Sequence, residues 1–180
     1  MSRWNLSRLA VTLVFLAISH GVAAQGGPPL LTDDPDTPGN RHWEINIAYA
    51  VERVRDEESK NLPRIDINYG LGDHIQLKYE VAWMSLDQGN ASGSRSGLSN
   101  SLMGVKWRFL DEEKAGFNMS VYPQVEFNNP TGSVDRGLAD KGPNRLLPLE
   151  ISKAFGAWRL VGEVGYWFMH DQTDQWIYGM

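Results

Sequence analysis

The chain has no cysteine among its 180 residues. That excludes a disulfide framework, a thiolate metal site, a cysteine nucleophile and a lipid-anchored N-terminal cysteine. Long apolar runs are also missing. Leu9–Ile18 (LAVTLVFLAI) is the one short example, well under the about 20 residues that a spanning helix needs. Mean hydropathy is -0.37. A helical membrane protein is therefore excluded, but a membrane β-barrel is not, because barrel strands are only half apolar. Basic residues are in deficit, 17 Lys and Arg against 22 Asp and Glu, so the basic footprint of a nucleic-acid binder is absent. With 42% hydrophobic and 11% aromatic residues the composition is too apolar for a disordered chain, and the length fits one domain.

Residues 1–24 read as an export signal. Arg3 and Arg8 form a positive n-region, Leu9–Ile18 the apolar h-region, and Val22, Ala23 and Ala24 supply small residues before a cleavage site at Gln25. Cleavage takes Lys plus Arg from 17 to 15 against 22 acidic residues, a mature charge near -7. Residues 25–41 are rich in Pro, Gly and Asp without periodicity and read as an extended periplasmic leader.

From residue 42 onward the apolar residues recur at every second position, the period of half-buried strands, and nowhere at helical spacing. In the first run Trp43, Ile45, Ile47, Tyr49 and Val51 oppose Glu44, Asn46 and Glu52. In the second, Ile65, Ile67 and Tyr69 oppose Asp66 and Asn68. The third sets Ile75, Leu77, Tyr79, Val81 and Trp83 against Gln76, Lys78 and Glu80. The fourth sets Met103, Val105, Trp107 and Phe109 against Lys106 and Arg108. The fifth runs from Phe117 to Phe127 and presents Asn118, Ser120, Tyr122, Gln124 and Glu126 on its polar side. Pro123 cannot donate to a ladder and predicts a bulge there. The sixth opposes Leu147, Leu149, Ile151 and Phe155 to Glu150 and Ser152. The seventh opposes Trp158, Leu160, Val164, Tyr166 and Phe168 to Arg159 and Glu163. An eighth opens at Gln175.

These runs predict an all-β fold of antiparallel hairpins. Connections alternate in length: long at Arg53–Leu62, Leu86–Leu98 and Asn128–Asn144, short at Gly70–Asp73, Leu110–Lys114 and Gly156–Ala157. That is the habit of an outer-membrane barrel, with short periplasmic turns and longer external loops. Aromatic residues at strand ends (Trp43, Tyr69, Trp83, Trp107, Phe109, Phe117, Phe127, Phe155, Trp158 and Phe168) fit two interfacial girdles. The expected architecture is an up-and-down transmembrane β-barrel over residues 42–180. Its lumen is then lined by Glu44 and Glu52 of the first run, Asp66 of the second, Lys78 and Glu80 of the third, and Lys106 and Arg108 of the fourth. Glu126, Glu150, Arg159 and Glu163 complete it. Lys153, on the apolar face, is placed to snorkel.

The segments Pro28–Gly39 (PPLLTDDPDTPG), His42–Tyr49, Asp66–Trp83, Gly104–Glu113 and Tyr122–Pro130 resemble, in that order, a family of bacterial outer-membrane β-barrels. It is known as the MetA-pathway of phenol degradation family, and its members are often called transporters. The resemblance implies an outer-membrane channel or transporter-like barrel and supplies no catalytic residues. Single-chain bacterial barrels have an even number of strands, and this chain stops at Met180, early in its eighth run. A fragment of about seven to eight strands is therefore expected, with the C-terminal part missing.

No catalytic, cofactor or metal site is expected. His42, His74 and His170 have no partner at ligand spacing. Asp33, Asp34 and Asp36 lack the EF-hand spacing and read as a solvated leader. No G-x-S-x-G elbow is present, and Gly70-Leu71-Gly72 sits in a hairpin without the rest of a dinucleotide fingerprint. The expected function is a non-enzymatic channel for small solutes, hydrophobic or aromatic ones among them, with a wet charged lumen gated by the loops Leu86–Leu98 and Asn128–Asn144. The expected partners are outer-membrane lipid, the barrel-assembly machinery and a small solute, with no nucleic acid. A non-transporting, partner-binding barrel and a soluble lipocalin-like barrel are the alternatives.

Overall fold

Successive side chains of an extended strand point to opposite faces, and the structure follows that alternation along the chain. A computed structural model describes residues 32–54, 57–87 and 93–180. The export signal, the first part of the leader and the centre of the Leu86–Leu98 connection lie outside the described residues. Nine antiparallel strands form a single sheet: β1 (Trp43–Val54), β2 (Glu57–Leu71), β3 (Ile75–Asp87), β4 (Ser94–Leu110), β5 (Asn118–Val121), β6 (Gln124–Phe127), β7 (Asn144–Phe155), β8 (Trp158–Phe168) and β9 (Gln175–Gly179). Among the described residues one short helix, α1 (Glu112–Ala115), sits in the turn after β4.

Sequence neighbours pair from β1 to β5 and from β7 to β9. Trp43 lies opposite Tyr69, Leu77 opposite Val105, and Leu149 opposite Val164. The fifth run is one strand in two pieces. β5 and β6 both pair with β4 on one side and β7 on the other. Pro123 breaks the ladder between them, as its missing N–H requires. Its carbonyl still accepts the Val105 amide at 3.0 Å, and the Tyr122 amide donates to the Pro148 carbonyl at 3.1 Å.

Two of the expected long connections are corrected. Arg53–Leu62 is not a loop: β1 continues to Val54 and β2 begins at Glu57. Likewise β3 runs to Asp87 and β4 starts at Ser94. These arms are Ser-, Lys- and Glu-rich, so they lack the apolar contrast that marks a strand in sequence. The third long connection, Asn128–Asn144, is a loop that folds back onto the β4 arm. Arg136 Nη1 donates to the Ser96 carbonyl at 2.9 Å, and Asn129 Nδ2 donates to the Ser99 carbonyl at 2.6 Å. Leu138 and Ser133 of the loop are buried.

Burial is inverted relative to a water-soluble sheet protein. The large apolar side chains that alternate along the strands are the exposed ones: Trp43 at 64%, Ile47 at 73% and Trp158 at 78%. The polar partners between them are buried, with Lys106 at 1% and Glu150 and Ser120 at 0%. Ordinary folding places charge in water and hydrocarbon inside, because an unpaired buried charge is costly. Here the sheet curls its polar face inward.

Candidate functional site

The leader occupies that polar interior. Asp34 and Pro35 are buried, and Asp33 and Asp36 are half-buried, which overturns the reading of Asp33, Asp34 and Asp36 as a solvated segment. The reason is electrostatic: cations on strands far away in sequence donate to the Asp33 and Asp36 carboxylates. Lys106 Nζ donates to Asp33 Oδ1 at 2.9 Å and also to the Asp34 carbonyl. The Asp33 amide donates to Glu163 Oε2 at 3.1 Å. Asp36 lies between Arg108 of β4, at 3.4 Å, and Arg159 of β8, and the Asn118 amide reaches it at 3.4 Å. Thr37 ties the leader to the β2–β3 turn through the Asp73 carbonyl at 2.9 Å. Gly39 then crosses Gly70, with the Arg41 amide on the Gly70 carbonyl at 2.8 Å.

Beneath the leader the interior is a connected polar network. Lys106 Nζ is 3.3 Å from Glu150 Oε2, which also accepts the Ser120 hydroxyl at 2.5 Å. The ammonium stands 4.6 Å from the centre of the Tyr122 ring, close enough for a cation–π contact. Gln76 donates to the Tyr122 hydroxyl at 3.2 Å and to Asn68 at 2.7 Å, and Asn68 donates to Asp66 at 3.0 Å. Lys78 pairs with Asp66 at 3.3 Å and Glu80 at 3.4 Å, and Arg64 closes on Glu80 at 2.6 Å. The contacts pair charges that would otherwise be costly at this depth, while Glu150 Oε1 and the Ser152 hydroxyl have no hydrogen-bond partner among the described residues.

The expected lumen residues are thus brought together unevenly. Asp66, Lys78, Glu80, Lys106, Glu150 and Glu163 form the central network. Arg108 and Arg159 stand at the turn end, where Arg108 also pairs with Asp111 at 3.1 Å. Glu44 sits on β1 and accepts from Asn46 at 2.9 Å. Glu126 is at the opposite end, holding Asn100 and Asn144, each at 2.9 Å. Glu52, on the β1 arm, is exposed. Arg64, Gln76 and the leader aspartates were not among the expected lining residues. Arg64 was findable, since it shares the parity of Asp66 and Asn68. Nothing local marks Asp33 or Asp36.

The aromatic residues separate into two levels. Trp43, Tyr69, Trp107, Phe109, Phe117, Phe155 and Trp158 stand at the turn end of their strands, with the Trp43 and Tyr69 rings 4.6 Å apart. Trp83, Phe127, Phe168 and Trp176 stand toward the other end, where Tyr166 bridges Phe168 and Trp176 at 5.0 and 4.8 Å. Lys153 is on the outer face, its ammonium 5.4 Å from the Phe155 ring.

Two clefts open on the interior. One, of about 660 Å³, lies at the turn end against Arg108, Asp111, Asn118 and Arg159. The other, of about 680 Å³, lies above the network and combines Leu102, Leu146 and Trp167 with Lys78, Glu80 and Glu163. Between leader and β1–β3 only about 20 Å³ remains. In the centre, then, side chains replace the open wet lumen that the alternation suggested. His74 Nε2 lies 3.0 Å from Asp111 Oδ2. That hydrogen bond, with the Arg108 and Lys114 charges, holds the Asp111 carboxyl below its ordinary value against some desolvation.

No family model, no curated protein and no solved structure matches the chain.

Proposed function

We propose that the chain is an outer-membrane β-barrel protein that admits small solutes to a plugged polar interior. One observation carries this reading: along the strands the large apolar side chains are exposed, while polar residues between them, Asp66, Lys106, Ser120 and Glu150 among them, are buried. In water that arrangement would leave a broad apolar surface uncovered. Against acyl chains it is the stable one, because a charge facing lipid costs about 2–4 kcal/mol at the midplane. The strands of β1, β3, β4, β7 and β8 are long enough to cross a bilayer at the usual tilt. The two levels of rings are where interfacial girdles belong. Export by a signal at residues 1–24, insertion by the barrel-assembly machinery and membership of the MetA-pathway of phenol degradation family are parts of the same proposal.

The solute compartment is the upper cleft. Its mixture of Trp167, Leu102 and Leu146 with Lys78 and Glu163 suits a small molecule with an apolar body and a polar group. The role is binding or passage, not catalysis. Alkaline carbonate extraction of membranes is the first test: the protein is expected to stay in the pellet and to show heat-modifiable mobility in detergent gels. Release into the wash as a compact monomer overturns the proposal.

A second reading, a barrel that binds without transporting, is favoured by the filled centre around Tyr122, Lys106 and Glu150. Solute flux into proteoliposomes separates the two. Flux that rises when the leader is removed supports passage, and no flux from either form supports binding alone.

A further inference from the structure

The leader enters the interior as a carboxylate ligand. Among the described leader residues, Asp36 has its carboxylate gripped from two sides, by Arg108 of β4 and Arg159 of β8, with the Asn118 amide on the same carboxylate. These strands are not neighbours in the sheet, so the grip spans the interior. Its three donors also line the 660 Å³ turn-end cleft. The clamp is therefore reachable from solvent at one end while its pocket is filled from within. Two guanidinium groups converging on one carboxylate make a recognition site for that group, since charge-assisted bonds to planar donors are the strong and directional kind. Beyond Asp36 the leader is held by Thr37 on the Asp73 carbonyl, by Asn40 accepting from the Gly72 amide at 3.1 Å, and by the backbone bonds of Arg41 and His42 with Gly70 at the crossing.

We propose that Arg108, Arg159 and Asn118 form a binding site for organic carboxylates, occupied in the resting molecule by Asp36 of its own leader. A carboxylate entering through the turn-end cleft takes the place of Asp36, and the leader around Pro35 and Asp36 lifts from the interior between its anchors at Asp33 and Gly39. This deepens the proposed solute-handling role by naming a ligand class, but the clamp works in any surrounding solvent, so it is tested separately.

The test uses the purified chain in detergent with one introduced thiol. No native cysteine competes, and Pro35, in the leader beside Asp36, is fully buried. A Pro35→Cys protein is treated with a water-soluble maleimide, and the labelling rate is read. Asp36→Asn in that background is expected to raise the rate about tenfold, the factor that loss of one charge-assisted hydrogen bond carries. Arg159→Gln is expected to act in the same direction, and heat-modifiable mobility checks that both variants are folded. Acetate, the analogue of the Asp36 side chain, is expected to speed labelling of the Pro35→Cys protein. Chloride at equal ionic strength and neutral acetamide are expected not to. Equal acceleration by acetate and chloride means simple screening and overturns the site. So does a labelling rate that neither Asp36→Asn nor Arg159→Gln changes. Failure of carbonate extraction would instead remove the membrane reading and leave the clamp standing.

Discussion

The Gly39 carbonyl oxygen lies 1.7 Å from where a Cβ on Gly70 would stand. The leader crosses β2 with no room for a side chain beneath it, and the Arg41 and Gly70 amides bond the two segments on either side of the crossing. A glycine is required here for close approach.

Gly70→Ala is therefore expected to lift the leader away from β2. Overpacking of this kind costs about 1–3 kcal/mol. The measurement is limited proteolysis, with new cleavage between Asp33 and Arg41 in the variant. Gly156→Ala is the control: its φ is +63° and nothing lies near its Cβ position, so it strains the turn between β7 and β8 and not the crossing at β2. If Gly70→Ala leaves this segment as protected as before, the crossing does not hold the leader in place.

Lys106→Met is expected to lower stability by about 3–5 kcal/mol, because it strands the buried Glu150 carboxylate without its cation. Lys106→Met combined with Glu150→Leu should recover part of the loss, since removing both charges leaves no orphan on the sheet. Urea unfolding in phospholipid vesicles gives the comparison. A single variant as stable as the parent would show that the ion pair is not a stabilising contact.

Ile47→Arg separates the two possible surroundings of the outer face. Ile47 is 73% exposed in the middle of the β1 pairing with β2. Facing acyl chains, an arginine there costs about 2–4 kcal/mol. Facing water, a surface change of this type stays within about 0.5 kcal/mol. Unfolding free energies in vesicles, together with the fraction inserted, decide between them.

Asp111 gives a pH dependence at the turn end. Its carboxyl is held below the ordinary 3.8, first by the hydrogen bond from His74. A depressed carboxylate stabilises the folded state above its unfolded value, and that contribution is lost as pH falls through the lowered one. The window is thus below about pH 4, and Asp111→Asn should flatten the acid limb of the stability profile there. His74→Ala should move the Asp111 titration, followed by carboxyl carbon shifts, back toward higher pH. An unchanged titration would show that His74 is not what holds it.

What could be read along the chain is what depends on neighbours in sequence. Alternation at Trp43–Val51 or Leu147–Ile151 shows strand and face together, because adjacent side chains of an extended backbone must point oppositely. The short turns at Gly70–Asp73 and Gly156–Ala157 follow from residue type alone; Gly72 and Gly156 take the positive φ that the chain direction needs. The outer arms of β1–β4 were hidden because their Ser, Lys and Glu residues carry no contrast between faces.

The tertiary structure decided the rest. Asp33 and Lys106 are 73 residues apart, and Asp36 and Arg159 are 123 apart. No local preference links such residues. Only when the sheet has curled its polar side inward do Lys106, Arg108 and Arg159 face one interior, where the acidic leader pairs with them. Period and composition therefore determined the strands and their two faces. Long-range charge pairing within a shared polar interior decided that the leader fills it.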